Sequence, residues 1–94
     1  MIHILSQDRK RLVNADMVAG YSIEYENVRT PGLDCCIIAK LPGANFKLAS
    51  YRYEYEAMKA LRTLSDAIAK TVSGNMLFIF PSRKDIAGWP DFND

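Results

Sequence analysis

A chain of 94 residues with 49% apolar and 24% charged side chains has the balance of a globular protein and is too short to divide into two cores. Twelve basic against eleven acidic side chains leave a net charge of +1, which offers no electrostatic footprint for a phosphate backbone or an anionic membrane. No apolar run approaches the ~18 residues of a membrane helix, and Met1 to Asp8 show neither the basic region nor the long apolar run of a signal peptide, while the only cysteines, Cys35 and Cys36, are adjacent and cannot staple distant segments; the expectation is a cytoplasmic protein with reduced thiols and no membrane contact.

Ile2–Leu5 reads as a short strand, and Ser6-Gln7-Asp8-Arg9-Lys10 as a polar turn joining it to the apolar pair Leu12-Val13. After a second turn at Asn14-Ala15-Asp16, residues Met17 to Glu26 alternate. Met17, Ala19, Tyr21, Ile23 and Tyr25 share one face of a strand, and Val18, Gly20, Ser22, Glu24 and Glu26 share the other. Asn27 to Gly32, ending in Pro31-Gly32, is a third turn. The same period returns from Leu33 to Leu41, with Leu33, Cys35, Ile37, Ala39 and Leu41 on one side. Pro42-Gly43-Ala44-Asn45 is a fourth turn, because proline presets one corner and glycine accepts positive φ at the next. Phe46 and Leu48 give a shorter third instance of the alternation. Connections this short join antiparallel neighbours, so the pattern predicts a meander.

The period changes at Tyr53. Ala57, Leu61, Leu64, Ile68 and Val72 recur at helical spacing, and good helix formers fill Tyr53–Val72 without an internal glycine or proline. Glu54 and Glu56 suit the positive end of the helix dipole and Lys70 the negative end; Ser73-Gly74-Asn75 is the stop. Met76-Leu77-Phe78-Ile79-Phe80, apolar in both phases and ended by Pro81, predicts a final strand that is paired and covered. The segment 82–94 is polar apart from Ile86, Trp89 and Phe92 and is read as a C-terminal tail to a domain spanning 1–81.

Chemistry is sparse. His3, the single histidine, sits between Ile2 and Ile4 and reads as structural; no CxxC or HxxxH spacing supports zinc, so no metal and no cofactor are expected. Cys36 would need a base or a helix N-terminus to become a nucleophile, and nothing local supplies one. Glu24 and Glu26 read as solvated charges on a polar strand face. The glycines are scattered and form no phosphate loop. Arg9-Lys10-Arg11 with Tyr51, Arg52, Tyr53 and Tyr55 carries a nucleic-acid reading, since aromatics stack on bases. Asp8, Asp16, Glu54 and Glu56 offset those cations and weigh against it. Trp89 and Phe92 are candidate anchors for a partner's pocket, although docking back onto their own domain weighs more, and an unpaired edge strand is a further candidate surface.

Ser6-Gln7-Asp8 followed by Lys10, the strand–turn–strand series, Leu48 with Tyr51, Glu56-Ala57 with Leu61, and an apolar strand ending at Pro81 resemble a group of small proteins, of no established activity, often carried by prophages and mobile elements of Gram-positive bacteria. The resemblance spans roughly residues 1–81. It implies a strand-rich domain with one helix and transfers no functional residue. The chain departs from that group in its longer loop at Asn27–Leu33, its Trp-containing tail, and Tyr53 where a helix-capping Ser, Thr or Asp is expected.

The resulting expectation is an α+β fold: an antiparallel meander of about four strands, one long amphipathic helix across a face, and a final strand. The expected function is a non-catalytic protein–protein interaction or oligomerisation module, serving an unidentified protein partner or a homodimer. Tyr51, Tyr53, Tyr55, Trp89 and Phe92 are its candidate surface. A nucleic-acid accessory protein is the alternative and an enzyme ranks third.

Overall fold

Ile2 and Ile4 turn the same way on β1 (Ile2–Leu5), and Val13 faces with them from β2 (Leu12–Asn14), antiparallel and opposite Ile4. The turn between these strands is tied by its own polar side chains. Ser6 Oγ donates to Asp8 Oδ1 at 2.6 Å, the same oxygen accepts the Lys10 N–H at 3.0 Å, and Arg11 N–H donates to Ser6 Oγ at 3.1 Å. Those bonds, the serine's first, hold the Asp8 carboxyl below its usual range. They also hold Arg9 at φ 63°, which non-glycine residues seldom adopt. The computed structural model describes residues 1–27, 33–71 and 74–89.

Asn14 Oδ1 accepts the Asp16 N–H at 2.9 Å and draws Ala15–Met17 into a 3₁₀ turn. The strand expected from Met17 therefore starts at Gly20. β3 (Gly20–Asn27), β4 (Leu33–Leu41) and β5 (Ala44–Tyr51) form an antiparallel meander. Pro42-Gly43 alone joins β4 to β5, with Gly43 at φ 82°, the value the third position of a type II turn requires. A bulge at Ile37/Ile38 leaves Leu48 without an opposite residue on β4. The expected turn at Pro31-Gly32 lies outside the described residues.

α1 (Glu54–Lys70) starts at Tyr53, which supplies no side-chain cap, and ends at Thr71, whose hydroxyl donates to Ala67 O at 2.8 Å. Its buried side is turned relative to the sequence expectation. Ala57, Ala60 and Leu64 are buried, whereas Leu61 is half-buried and Ile68 is 38% exposed; Val72 lies outside the described residues. The small alanines set the closest approach to the sheet, and the aliphatic stems of Glu56 and Lys59 are buried alongside them.

The fold is α+β as expected, with α1 packed on the strands and β6 (Met76–Ile79) following it. The strands divide into two three-stranded sheets, β2-β1-β6 and β3-β4-β5, on one shared core. β6 runs parallel to β1, with Phe78 opposite Ile4, as a crossover through a long helix permits. One glutamine joins the sheets. Gln7 N–H donates to Leu48 O at 2.7 Å, its Oε1 accepts the Ser50 N–H at 3.1 Å, and its Nε2 donates to Pro81 O at 3.1 Å. Tyr51, fully buried, donates its hydroxyl to the same Pro81 carbonyl at 2.8 Å. Past Pro81 the described part of the tail packs on the domain: Ser82 caps α2 (Arg83–Ile86), Ile86 is 0% exposed, and Trp89 packs on the core. Among the described residues no helix is long and apolar enough to cross a membrane.

Gln7→Ala removes the side-chain partner of the Ser50 amide and one of two donors to the Pro81 carbonyl and should cost about 1–3 kcal/mol in urea unfolding, against about 0.5 kcal/mol or less for Lys10→Ala in the exposed part of the turn. Burial, with Glu56 nearby, raises the Tyr51 phenol pKa, so the folded state holds that proton more tightly than the unfolded chain. This stabilisation is whole below the ordinary phenol range near pH ~10 and is lost as the pH climbs above it. Tyr51→Phe should therefore lower stability at neutral pH yet give a shallower decline between pH ~9 and ~11, read from urea midpoints.

Candidate functional site

The aromatic residues singled out from the sequence separate in space. Tyr51 is a core residue, fixed there by its bond to Pro81, and is no part of the surface. Tyr53 and Tyr55 are 47% and 59% exposed and stack on each other, ring centroids 5.5 Å apart and planes inclined by 12°. Cations attend both rings: the Arg52 guanidinium lies 5.5 Å from the Tyr53 centroid and Lys59 Nζ 5.9 Å from that of Tyr55. Glu54, near the start of α1, raises the phenol pKa of the exposed Tyr25. Trp89 is half-buried against the core, and its carbonyl accepts from Lys59 Nζ at 3.0 Å. Phe92 lies outside the described residues. In the basic triplet, Arg11 is spread over the Phe46 ring at 4.3 Å and Arg9 reaches the Gln7 carbonyl at 3.4 Å.

The candidate reactive groups also lie apart. His3 stands on the outward side of β1, next to Asn14 and Leu77 on its neighbours. Cys36 belongs to the other sheet, between Glu24 and Ser50, and both cysteines are buried thiols. Among the described residues no group of three or more His, Cys, Asp or Glu could hold a metal ion.

The more informative surface is one the sequence reading missed. The inward residues of the β2-β1-β6 sheet are Ile2, Ile4, Val13, Met76 and Phe78, all in or against the core. Its outward residues form two rows, Asn14–His3–Leu77 and Leu12–Leu5–Ile79. None of these six is an acid, lysine or arginine, and four are leucine or isoleucine. Leu12 is 58% exposed, Leu77 53% and Ile79 40%. A depression of about 310 Å³ lies at one end, lined by His3, Leu12, Asn75, Met76 and Leu77. The expectation that the final strand is covered thus holds for one face only. Parallel strand pairs such as β1–β6 normally have both faces shielded from water, while solvated sheet faces normally alternate to polar residues. This outer face does neither.

A sequence signal was present, since Met76–Phe80 is apolar in both phases. Only the pairing of β6 with β1 shows that Leu77 and Ile79 join Leu5 and Leu12 in a single patch. No protein-family model, curated protein or solved structure matches this chain.

Opposite sides of β6 should respond differently to substitution. Phe78→Ala empties a core position, with Phe78 packed edge-on against Phe80 at 5.2 Å, and should cost about 3–5 kcal/mol. Leu77→Lys places its charge in water and should change the unfolding free energy by less than about 1 kcal/mol in the same urea titration.

Proposed function

We propose that the protein is a non-catalytic interaction module that docks a protein partner on the outward face of the β2-β1-β6 sheet. The observation carrying this reading is the patch of exposed aliphatic side chains at Leu12, Leu77 and Ile79 on a face without an acid, lysine or arginine. Apolar patches left in water mark binding surfaces, and this one has the chemistry of a protein contact rather than a phosphate or carboxylate contact. Its size also indicates the occupant. Three strands of about four residues span roughly 13 by 14 Å, on the order of 200 Å², well short of the ~800 Å² per side of a standard interface. The apolar stripe of one amphipathic helix, ~10 Å across and two to three turns long, fits that footprint.

Other features support the nucleic-acid alternative less well. Arg11 is packed on Phe46, and the Tyr53 and Tyr55 rings already stack on each other with cations beside them.

The test is affinity capture from the native host on three immobilised proteins: wild type, Leu12→Lys/Leu77→Lys, and Met58→Lys as a control, since Met58 is 47% exposed on α1. A protein retained by wild type and Met58→Lys but reduced at least about tenfold by the double variant, with circular dichroism unchanged, is the expected result. Equal retention on all three removes the reading.

A further inference from the structure

β3 is an edge strand. Eight residues long, it pairs without a bulge along β4, and among the described residues no strand or other backbone group pairs with its outer side. Natural edges of this length are usually interrupted by proline, a bulge or lysine, because a straight row of unused N–H and C=O groups recruits another strand. β3 has none of these. Its only charges are Glu24 and Glu26, and their placement points to a specific partner.

We propose that β3 pairs antiparallel with β3 of a second copy about a two-fold axis at Ile23, joining two β3-β4-β5 sheets into one of six strands. Side chains directly opposite each other in a ladder point to the same face, so a two-fold pairing sets odd residues against odd and even against even. With the axis at Ile23, Gly20 meets Glu26, Tyr21 meets Tyr25 and Ser22 meets Glu24 of the second copy. Each acid faces a small neutral residue, and each tyrosine faces a tyrosine, a favourable cross-strand pair. Neighbouring registers do worse. An axis at Glu24 opposes that carboxylate to its own copy. One at Tyr25 opposes Glu24 to Glu26 twice. One at Ser22 shortens the ladder to Gly20–Glu24. The glutamates therefore select a single register instead of closing the edge. A near-zero net charge, +1 per chain, adds little repulsion between copies. In the single chain Ser22 Oγ donates to Glu24 Oε2 of its own strand at 2.9 Å on the exposed side, so a serine hydroxyl at this position already bonds a carboxylate of the kind the second copy would set opposite it.

This proposal concerns the other sheet and stands independently of the docking face. Its test is sedimentation equilibrium of the full chain from micromolar to millimolar concentration. Wild type should show a monomer–dimer equilibrium. Ser22→Lys, set opposite Glu24 twice, should tighten it by about two- to thirtyfold, and Ser22→Glu should weaken it by a similar factor. Leu77→Lys should leave it unchanged. A wild type that stays monomeric throughout overturns the proposal. So do two Ser22 variants that shift association in the same direction or not at all, and so does a dimer abolished by Leu77→Lys. Disulfide trapping supplies a second readout. A mixture of Ser22→Cys and Glu24→Cys chains should cross-link under mild oxidation more than either alone; equal cross-linking of the mixture and the single proteins contradicts the register. Loss of partner capture by Leu12→Lys/Leu77→Lys with no dimer at any concentration would leave the docking face in place and remove only this pairing.

Discussion

Gln7 is the constraint on which the architecture turns. Its backbone and both ends of its side-chain amide are committed, to Leu48 on β5, to the Ser50 amide and to the Pro81 carbonyl. With Tyr51 on the same carbonyl, a few hydrogen bonds fix the β1–β2 turn against β5 and against the chain leaving β6. Each partner is at least partly removed from water, so losing the Gln7 side chain leaves the Ser50 amide unpaired at a cost greater than the bond's own net contribution, while the Pro81 carbonyl keeps Tyr51. This junction lets two small sheets share a core that neither could close alone.

From that junction follows the division of labour between the sheets. The β3-β4-β5 meander carries α1 over one side, with Cys35, Ile37 and Ala39 turned toward the helix. The β2-β1-β6 sheet contributes its inner side to the same core, while Leu12, Leu77 and Ile79 on its outer side stay exposed among the described residues. A parallel pair built by a helical crossover normally gains a second covering layer from another helix, and among the described residues α1 is the one long helix. The uncovered aliphatic face is thus a consequence of topology as much as of composition.

Surface chemistry is distributed to match. The basic turn is stabilised from within by Ser6, Asp8 and the Phe46 ring, and the stacked tyrosines at the start of α1 lie beside nearby cations. Charged and aromatic groups that look available in a linear sequence are in this way partly engaged at home. The surfaces with unmet potential are plainer: a patch of leucine and isoleucine, and a straight strand edge whose backbone groups face outward.

The sequence by itself determined the local structure, because local structure depends on near neighbours. Two-residue alternation placed β1, β3 and β4, the change of period at Tyr53 placed α1, and Pro42-Gly43 placed the tight hairpin. Tertiary structure alone decided the rest. That Tyr51 is buried while Tyr53 and Tyr55 are exposed depends on Pro81, thirty residues away from Tyr51, lying over its hydroxyl. Which flank of α1 is buried depends on where the sheet approaches it, which the helical period leaves open among adjacent apolar positions. Whether Leu77 lies in a core or in water depends on β6 joining β1 across more than seventy residues of chain. Side-chain periodicity gives each strand two faces, but only long-range pairing determines which face is left for a partner.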